Sequence, residues 1–195
     1  VKQLLDQYHL TLTGINQHIG SLFMTDQAFL DSLPSLFSIA RQFPGLSFID
    51  LGGGFGIPYK KGQGEQPLDL SSLGPRLDQA LYDFAKEYGS QITFRIEPGR
   101  YISAECSVLL GQVHAVKYNH SHKYVGCDIG FNVLARPVLY DSYHEVEIYR
   151  ESNVPSTRQE EVTVVGNICE SGDILAAGRT LPEIFRHDIL GIQDA

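Results

Sequence analysis

The sequence has few basic residues, few cysteines and no long apolar run, and each shortage excludes a class of function. Its 15 Lys and Arg are outnumbered by 23 Asp and Glu, and the net charge of −8 argues against nucleic acid or an anionic membrane as partner. No apolar run approaches the roughly 20 residues that span a bilayer. The three cysteines, Cys106, Cys127 and Cys169, have no C-x-x-C spacing, which indicates a reduced, cytoplasmic protein.

Residues 1–102 alternate between strand-like and helix-like patterns. Strands are predicted at 11–16, 46–51 and 92–97, and apolar residues recur at helical spacing over 26–42 and 72–88. This alternation is typical of a parallel sheet with helices outside it, so the first part of the chain is predicted to be an α/β domain.

After residue 102 the pattern changes to short runs of β-branched and aromatic residues separated by turn residues. The runs are 107–118, 123–128, 144–150 and 161–168, and no convincing long helix lies between them. They predict an antiparallel β domain over residues 103–195, with the boundary near 100–104.

Glycines follow the second predicted strand, in the stretch IDLGGGFGIP at 49–58. Gly52, Gly53 and Gly54 are consecutive, and backbone N–H groups without neighbouring Cβ atoms can converge on one point. Parallel α/β folds bind their ligands at this end of their strands. A phosphate site and a tight turn that needs positive φ are both open interpretations. The G-x-G-x-x-G and P-loop nucleotide patterns do not match.

The first and third predicted strands also end in residues that could bind a ligand. His18 and Ser21 follow the first strand, and Glu97 and Arg100 follow the third. Hydroxyl, N–H and guanidinium groups suit a phosphate, an imidazole can stack on a flat ring, and a carboxylate can keep a ring nitrogen protonated. Together these needs describe pyridoxal 5′-phosphate, PLP. Taken singly, His18 could be a buried hydrogen-bonded histidine, and Glu97 with Arg100 could be a surface pair.

Several segments resemble the fold-type III PLP-dependent decarboxylases, most closely their diaminopimelate decarboxylase branch. They are GINQHIGS (14–21), DLGGGFGIPY (50–59), IEPGRY (96–101), KYVGCDIGFNVLARPVLYDSYHEV (123–146) and NICESGDILA (167–176). HIGS, GGG and EPGR occur across the superfamily, whereas RPVLY and CESGD are more specific to the diaminopimelate and related branch. The resemblance implies the last strands of a (β/α)8 TIM-type barrel over 1–102, then an antiparallel β-sandwich or barrel domain over 103–195, in a head-to-tail homodimer.

The resemblance also implies a role for individual residues in cofactor binding. His18 would stack on the PLP ring, Glu97 would keep the pyridine nitrogen protonated, and Arg100 would reach the phosphate region and a substrate carboxylate. The other residues implied to bind the cofactor are Ser21, Gly52, Gly53, Gly54, Pro98 and Gly99. No metal ligand is implied.

Substrate would be bound by Arg136, Tyr140 and Glu170, with Glu170 recognising the distal amino group. Cys169 would donate the proton that replaces CO2 on the reacting carbon, although a buried, small apolar residue is the plainer interpretation of a lone cysteine. In the family, Cys169 and Glu170 enter the neighbouring subunit's site. The implied activity converts meso-2,6-diaminopimelate to L-lysine and CO2 in lysine biosynthesis.

Two parts of the family pattern are missing. The lysine that links covalently to PLP lies near the start of the family's barrel, ahead of HIGS, and this chain begins at Val1 without it. The sequence around Lys117, AVKYN at 115–119, is similar to that around a PLP-linked lysine. Lys117 nevertheless follows EPGR, whereas the family's lysine precedes HIGS. The family's G-A-Y segment would begin about where the chain stops, at Ala195. We therefore expect a fragment of a longer decarboxylase that is inactive alone.

Other functions stay open. A PLP decarboxylase for arginine, ornithine or carboxynorspermidine would share HIGS, GGG and EPGR. A non-catalytic PLP-binding module would keep the phosphate site and lose the chemistry. A metal site at His114, His120 and His122 has no acidic or thiol partner at useful spacing, and a solvent-exposed turn is the default interpretation of that stretch.

Overall fold

A three-stranded parallel sheet and a six-stranded mixed sheet organise the computed structural model, which describes residues 1–150 and 158–195. The first sheet belongs to a unit made of residues 1–58 and 66–103, here called the α/β unit. The second sheet belongs to residues 59–65 and 104–195, here called the β unit. Each unit has its own hydrophobic core.

The α/β unit places its strands in the order in which they occur along the chain. Strands β1 (Gly14–Asn16), β2 (Phe48–Gly53) and β3 (Thr93–Glu97) pair in parallel, with β2 in the centre. The helices of this unit are α1 (Lys2–Gln7), α2 (Gln27–Ala40), α3 (Leu70–Tyr88) and α4 (Gly99–Ser103). The predicted strand–helix alternation is therefore confirmed, because parallel neighbours need a crossover and α2 and α3 provide it.

Helix α2 buries the whole face that its apolar periodicity predicts, and α3 buries Leu73 and Phe84 of its predicted face. In α2 every residue of the predicted apolar face is buried; these residues are Phe29, Leu33, Leu36, Phe37 and Ala40. The Phe37 ring stacks on Phe84 of α3 with centroids 4.2 Å apart. Helix α3 begins at a favourable N-cap, since the Asp69 carboxylate accepts the backbone N–H of Ser71 at 2.8 Å. Both helices share one hydrophobic core with Ile49 and Leu51 of β2.

In its described residues, 59–65, 104–150 and 158–195, the β unit contains six strands and one short helix. The strands are β4 (Val108–Asn119), β5 (His122–Cys127), β6 (Val146–Tyr149), β7 (Gln159–Val165), β8 (Ile174–Pro182) and β9 (Ile189–Gln193), and the helix is α5 (Arg136–Tyr140). Short 3-10 turns lie at Lys61–Gln63 and Ala104–Cys106. The strand order in the sheet is β6-β9-β4-β5-β7-β8.

The expectation of a purely antiparallel domain is wrong, because β5 and β7 pair in parallel. The chain leaves β5, forms β6 at the far edge of the sheet beside β9, and returns next to β5 in the same direction. The other neighbours are antiparallel, and their pairing shifts register near 113–115 and 162–165. Such irregularities bend a sheet, so the β unit is a curled mixed sheet.

Two buried ion pairs hold the loop 183–188, which joins β8 to β9. Arg150 donates through Nε to Asp188 Oδ1 at 2.7 Å and through Nη2 to the carbonyl oxygen of Glu183 at 2.9 Å. Lys123 Nζ contacts the carboxylate of Glu160 and donates to the carbonyl oxygen of Ile184 at 2.8 Å. The side chain of Asp188 is only 4% exposed, so its charge depends on Arg150.

Asp188 couples the stability of this loop to pH. Burial by itself would raise the pKa of Asp188, but hydrogen bonds from Arg150 and from the N–H of Phe185 outweigh it and lower the pKa below its usual value. A carboxylate whose pKa is lowered by folding stabilises the protein above its unfolded-state pKa of about 4. That stabilisation is lost as the pH falls through the folded-state value.

We expect Asp188→Asn to lower the free energy of unfolding by about 3 kcal/mol at pH 7, because Arg150 keeps its charge without a carboxylate. The difference from the unsubstituted protein should shrink as the pH is lowered toward 3. Urea unfolding at several pH values measures both quantities. Asp78→Asn, at an exposed position of α3, is the matched control. A loss of stability no larger than that of the control would contradict the role given to Asp188.

Candidate functional site

The ends of β1, β2 and β3 lie side by side, and this closeness leaves no room for side chains at the last two residues of β2. A Cβ atom at Gly52 would lie 2.1 Å from the carbonyl oxygen of Gln17 and 3.2 Å from Cα of His18. A Cβ atom at Gly53 would lie 2.0 Å from the carbonyl oxygen of Glu97. Both distances are far below van der Waals contact, so these two positions must be glycine for the strand ends to meet.

The third glycine meets the same constraint on the side of β1. A Cβ atom at Gly54 would lie 2.2 Å from the carbonyl oxygen of Gly20. Gly52 and Gly54 also have positive φ, 75° and 99°, and Asp50 Oδ1 accepts the N–H of Gly52 at 2.9 Å inside the turn. The turn and the close backbone approach therefore both require glycine here. The phosphate contact of the three glycines stays a prediction.

Backbone hydrogen bonds hold the segment 17–23 against β2 at both of its ends. The N–H of Gln17 donates to the carbonyl oxygen of Asp50 at 3.1 Å, and the N–H of Phe23 donates to that of Gly54 at 3.0 Å. The Phe23 ring then packs on Phe29 and Phe55, with centroids 5.4 and 5.1 Å away. The intervening residues, which include His18 and Ser21, are thereby fixed beside the glycines.

Three of the predicted ligand-binding side chains of the α/β unit are exposed at this edge. His18, Ser21 and Glu97 are all exposed, so the interpretation of His18 as a buried histidine is wrong. Glu97 pairs in register with Gly53, and the chain turns at Pro98, whose carbonyl oxygen accepts the N–H of Tyr101 at 2.9 Å. This turn places Gly99 and Arg100 directly after the strand end.

The donor set at this edge fits PLP. The exposed Ser21 hydroxyl and the half-buried Arg100 guanidinium suit a phosphate, while the exposed imidazole and carboxylate suit a protonated heteroaromatic ring. A Cβ atom added at Gly20 or Gly99 would meet nothing within 4 Å, so the backbone at both positions faces open space. The edge therefore offers both the chemistry and the space that the cofactor needs.

In the β unit, Arg136 lies at the start of α5 and is half-buried. Its Nη1 donates to Tyr59 Oη at 2.8 Å and lies 3.2 Å from His144 Nε2. Tyr59 and His144 were not predicted from the sequence, although both fall inside segments that resemble the decarboxylases. Tyr140 ends the same helix and is 72% exposed.

Cys169 and Glu170 are exposed on the loop 166–173, which joins β7 to β8. The plainer interpretation of Cys169 as a buried apolar residue is therefore wrong. That description fits Cys127, whose Sγ lies 3.4 Å from the carbonyl oxygens of Ile129 and Val165. Burial raises the pKa of the Cys127 thiol to about 11.

Asp173 holds the loop that carries Cys169 and Glu170. Its carboxylate is 3% exposed and accepts the N–H of Phe131 at 2.7 Å and of Ile168 at 2.8 Å. A Cβ atom at Gly166 would lie 2.2 Å from the same carboxylate, so the loop backbone packs directly on it. The CESGD stretch thus combines two exposed reactive groups with one buried structural carboxylate.

Neither a metal site nor a membrane span is found in the part of the chain that the structure describes. No three His, Cys, Asp or Glu side chains in this part cluster as metal ligands would, and His122 Nε2 instead lies 2.9 Å from Thr163 Oγ1. Within the same residues, no helix combines the length and the apolar character needed to cross a bilayer.

Comparison with known proteins points to PLP-dependent decarboxylases. Residues 13–195 match the family model described as pyridoxal-dependent decarboxylase, C-terminal sheet domain. The diaminopimelate decarboxylase of Methanothermobacter thermautotrophicus is 40% identical over 189 residues, which cover 93% of this chain and 43% of that protein.

Solved structures agree with the sequence comparison. A crystal structure of diaminopimelate decarboxylase superposes with a TM-score of 0.85 at 32% identity, covering 99% of this chain and 48% of that one. The structure of the diaminopimelate decarboxylase of M. jannaschii in complex with L-lysine superposes with a TM-score of 0.80 at 27% identity. The match covers 99% of this chain and 44% of that one. The chain thus spans about half the length of the relatives that it matches.

The role of Asp173 can be tested by hydrogen exchange. We expect Asp173→Asn to speed amide exchange at Phe131 and Ile168 about tenfold or more, because the amide side chain offers one acceptor oxygen where the carboxylate offers two. Exchange followed by NMR or mass spectrometry reports these sites directly. Asp6→Asn, at an exposed position of α1, serves as control. Unchanged protection at both amides would mean that the loop does not depend on Asp173.

Proposed function

The chain belongs to the pyridoxal-dependent decarboxylase family, and from this membership we propose that the whole protein is a diaminopimelate decarboxylase. It would convert meso-2,6-diaminopimelate to L-lysine and CO2. The observation that carries the proposal is the convergence of His18, Gly52–Gly54 and Glu97 at one edge of the parallel sheet, described above. Because the chain spans about half of its relatives, it would supply only part of the enzyme.

We propose that residues 1–102 are the last strands of a (β/α)8 barrel and that residues 103–195 form the β domain. The rest of the barrel, with the lysine that links to PLP, would come from the remainder of the whole protein. PLP, when bound, supplies the electron sink that lets the carbon–carboxylate bond break.

The proposed cofactor contacts follow from the chemistry of each group at this edge. His18 would lie against the ring, and Glu97 would accept a hydrogen bond from the ring nitrogen and keep it protonated. Ser21 and Arg100 would donate hydrogen bonds to the phosphate, and Gly52–Gly54 would surround it. Pro98 and Gly99 would shape the turn between Glu97 and Arg100.

We propose that the β unit supplies the groups that bind and protonate the substrate. Arg136 and Tyr140 would bind a substrate carboxylate, and Glu170 would pair with the distal ammonium. Cys169 would give its Sγ proton to the carbon that has lost CO2, which retains the electron pair of the broken bond. An exposed thiol beside an exposed carboxylate suits these two roles if both enter the site of a second subunit in a homodimer. We place this enzyme in the cytoplasm.

Diaminopimelate is favoured over other substrates by the named relatives and by one ligand. The relatives described above are diaminopimelate decarboxylases, and one was solved with L-lysine, which is the product of that reaction. An arginine, ornithine or carboxynorspermidine decarboxylase remains a separate outcome of the assay, as does a PLP-binding protein without activity.

The proposal is tested by assaying the PLP-loaded whole protein on all four substrates. We expect CO2 release and L-lysine formation from meso-diaminopimelate, with at least about tenfold lower kcat/KM for the others. Preference for another substrate would contradict the proposed substrate, and binding of PLP without turnover of any substrate would favour the non-catalytic module.

A second prediction concerns the proton donor. Cys169→Ala should lower kcat by about 100-fold, because a positioned proton donor contributes about that factor. Cys106→Ala removes another exposed thiol and serves as the matched control, which should keep normal activity. Equal activity of the two variants would exclude Cys169 as the proton donor.

A further inference from the structure

We propose that Tyr59 and His144 are positioning residues that hold the guanidinium of Arg136 in a fixed orientation for a substrate carboxylate. The inference rests on the proposed function, which gives Arg136 its ligand, and it adds two residues that the resemblance did not supply.

The first observation is that two buried acceptors meet one nitrogen of Arg136. Nη1 lies 2.8 Å from Tyr59 Oη and 3.2 Å from His144 Nε2. Tyr59 is 6% exposed and His144 is 2% exposed, so neither side chain is free to move away. Because the guanidinium is planar, fixing one nitrogen from two directions fixes the orientation of the whole group.

The second observation determines which nitrogen of His144 carries the proton. His144 Nδ1 lies 2.9 Å from the carbonyl oxygen of Gln193, and a carbonyl oxygen can only accept. Nδ1 must therefore be the N–H donor, which in the neutral imidazole leaves Nε2 as an acceptor facing Arg136. The N–H of Gln193 in turn donates to the carbonyl oxygen of Glu145 at 2.9 Å, so the end of β9 fixes the ring.

The rings of Tyr59 and His144 also contact each other, and the Tyr59 ring contacts the guanidinium of Arg136. The Arg136 Cζ atom lies 4.8 Å from the centroid of the Tyr59 ring, within cation–π distance. The rings of Tyr59 and His144 meet edge to face, with centroids 5.1 Å apart and planes at 74°. Each ring therefore restricts the other, and the pair restricts Arg136.

The charge of Arg136 is not neutralised by these neighbours. Both acceptors are neutral groups, and within residues 1–150 and 158–195 no carboxylate forms an ion pair with Arg136. The carboxylate of the adjacent Glu145 instead accepts a hydrogen bond from Tyr143 Oη at 2.6 Å, and its Oε2 lies 3.8 Å from Arg179 Nη2. All hydrogen bonds of the Arg136 side chain within the described residues come from Nη1, which leaves the edge formed by Nε and Nη2 for a bidentate carboxylate.

This arrangement predicts an effect that depends on the ligand. Loss of either acceptor should weaken binding of ligands that carry a carboxylate for Arg136 and leave the others unaffected. L-lysine and cadaverine form a suitable pair, since cadaverine is lysine without its carboxylate. A variant that only disturbed the fold would weaken both.

The experiment measures the Kd of L-lysine and of cadaverine for the PLP-loaded whole protein by calorimetry. Tyr59→Phe keeps the ring and removes the acceptor oxygen, and His144→Leu removes the second acceptor. We expect either change to raise the Kd of L-lysine about tenfold, as for a lost hydrogen bond to a charged group, with the Kd of cadaverine changed less than about twofold. His144→Gln, whose amide offers a donor and an acceptor, should restore part of the affinity.

Matched controls come from the same unit. Tyr149→Phe removes a hydroxyl that contacts Glu147, and His122→Leu removes a ring nitrogen that contacts Thr163. Neither should change the Kd of L-lysine. If Tyr59→Phe raised the Kd of both ligands equally, or of neither, the positioning role would be overturned. The proposed decarboxylase function would not be affected by that result. An unsubstituted protein that neither binds L-lysine nor decarboxylates diaminopimelate would overturn the proposed function and this inference together.

Discussion

The close approach of three backbones at the end of β2 is the constraint on which the rest of the α/β unit depends. A Cβ atom added at Gly52, Gly53 or Gly54 would lie only about 2 Å from a backbone carbonyl oxygen. These oxygens belong to Gln17, Glu97 and Gly20, respectively. Three adjacent positions must therefore lack a side chain. In return, the ends of three strands meet at one edge of the sheet, the edge at which parallel α/β folds bind their ligands.

The β unit fixes its reactive groups in a different way. Here buried polar side chains hold exposed loops, since each buried carboxylate must find donors in the backbone or in a cation. Asp173 does this for the loop that carries Cys169 and Glu170, and Asp188 does it with Arg150 for the loop before β9. In both loops the contacts of the buried carboxylate determine where the neighbouring exposed residues lie.

Much of the fold was predictable because its signals are local. The apolar face of α2 could be derived from helical spacing alone, and the parallel arrangement of β1, β2 and β3 from the alternation of elements. The parallel pair β5–β7 could not be derived, because it depends on β6 pairing with β9 at the opposite edge of the sheet. Strands β8 and β9 were also missed; β8 has Ala, Gly and Arg at its centre, which weakens its strand signal.

The sequence by itself determined which residue types are available for chemistry and at which strand ends they occur. Glycine runs and apolar periodicity are local signals, because each is formed by residues only a few positions apart in the chain. Only the tertiary structure decided which partners these residues have. The hydrogen bond between Arg136 and Tyr59 joins positions 77 residues apart, and that between His144 and Gln193 spans 49. Contacts of this kind depend on how the whole sheet closes around its core, and no local pattern encodes that distance.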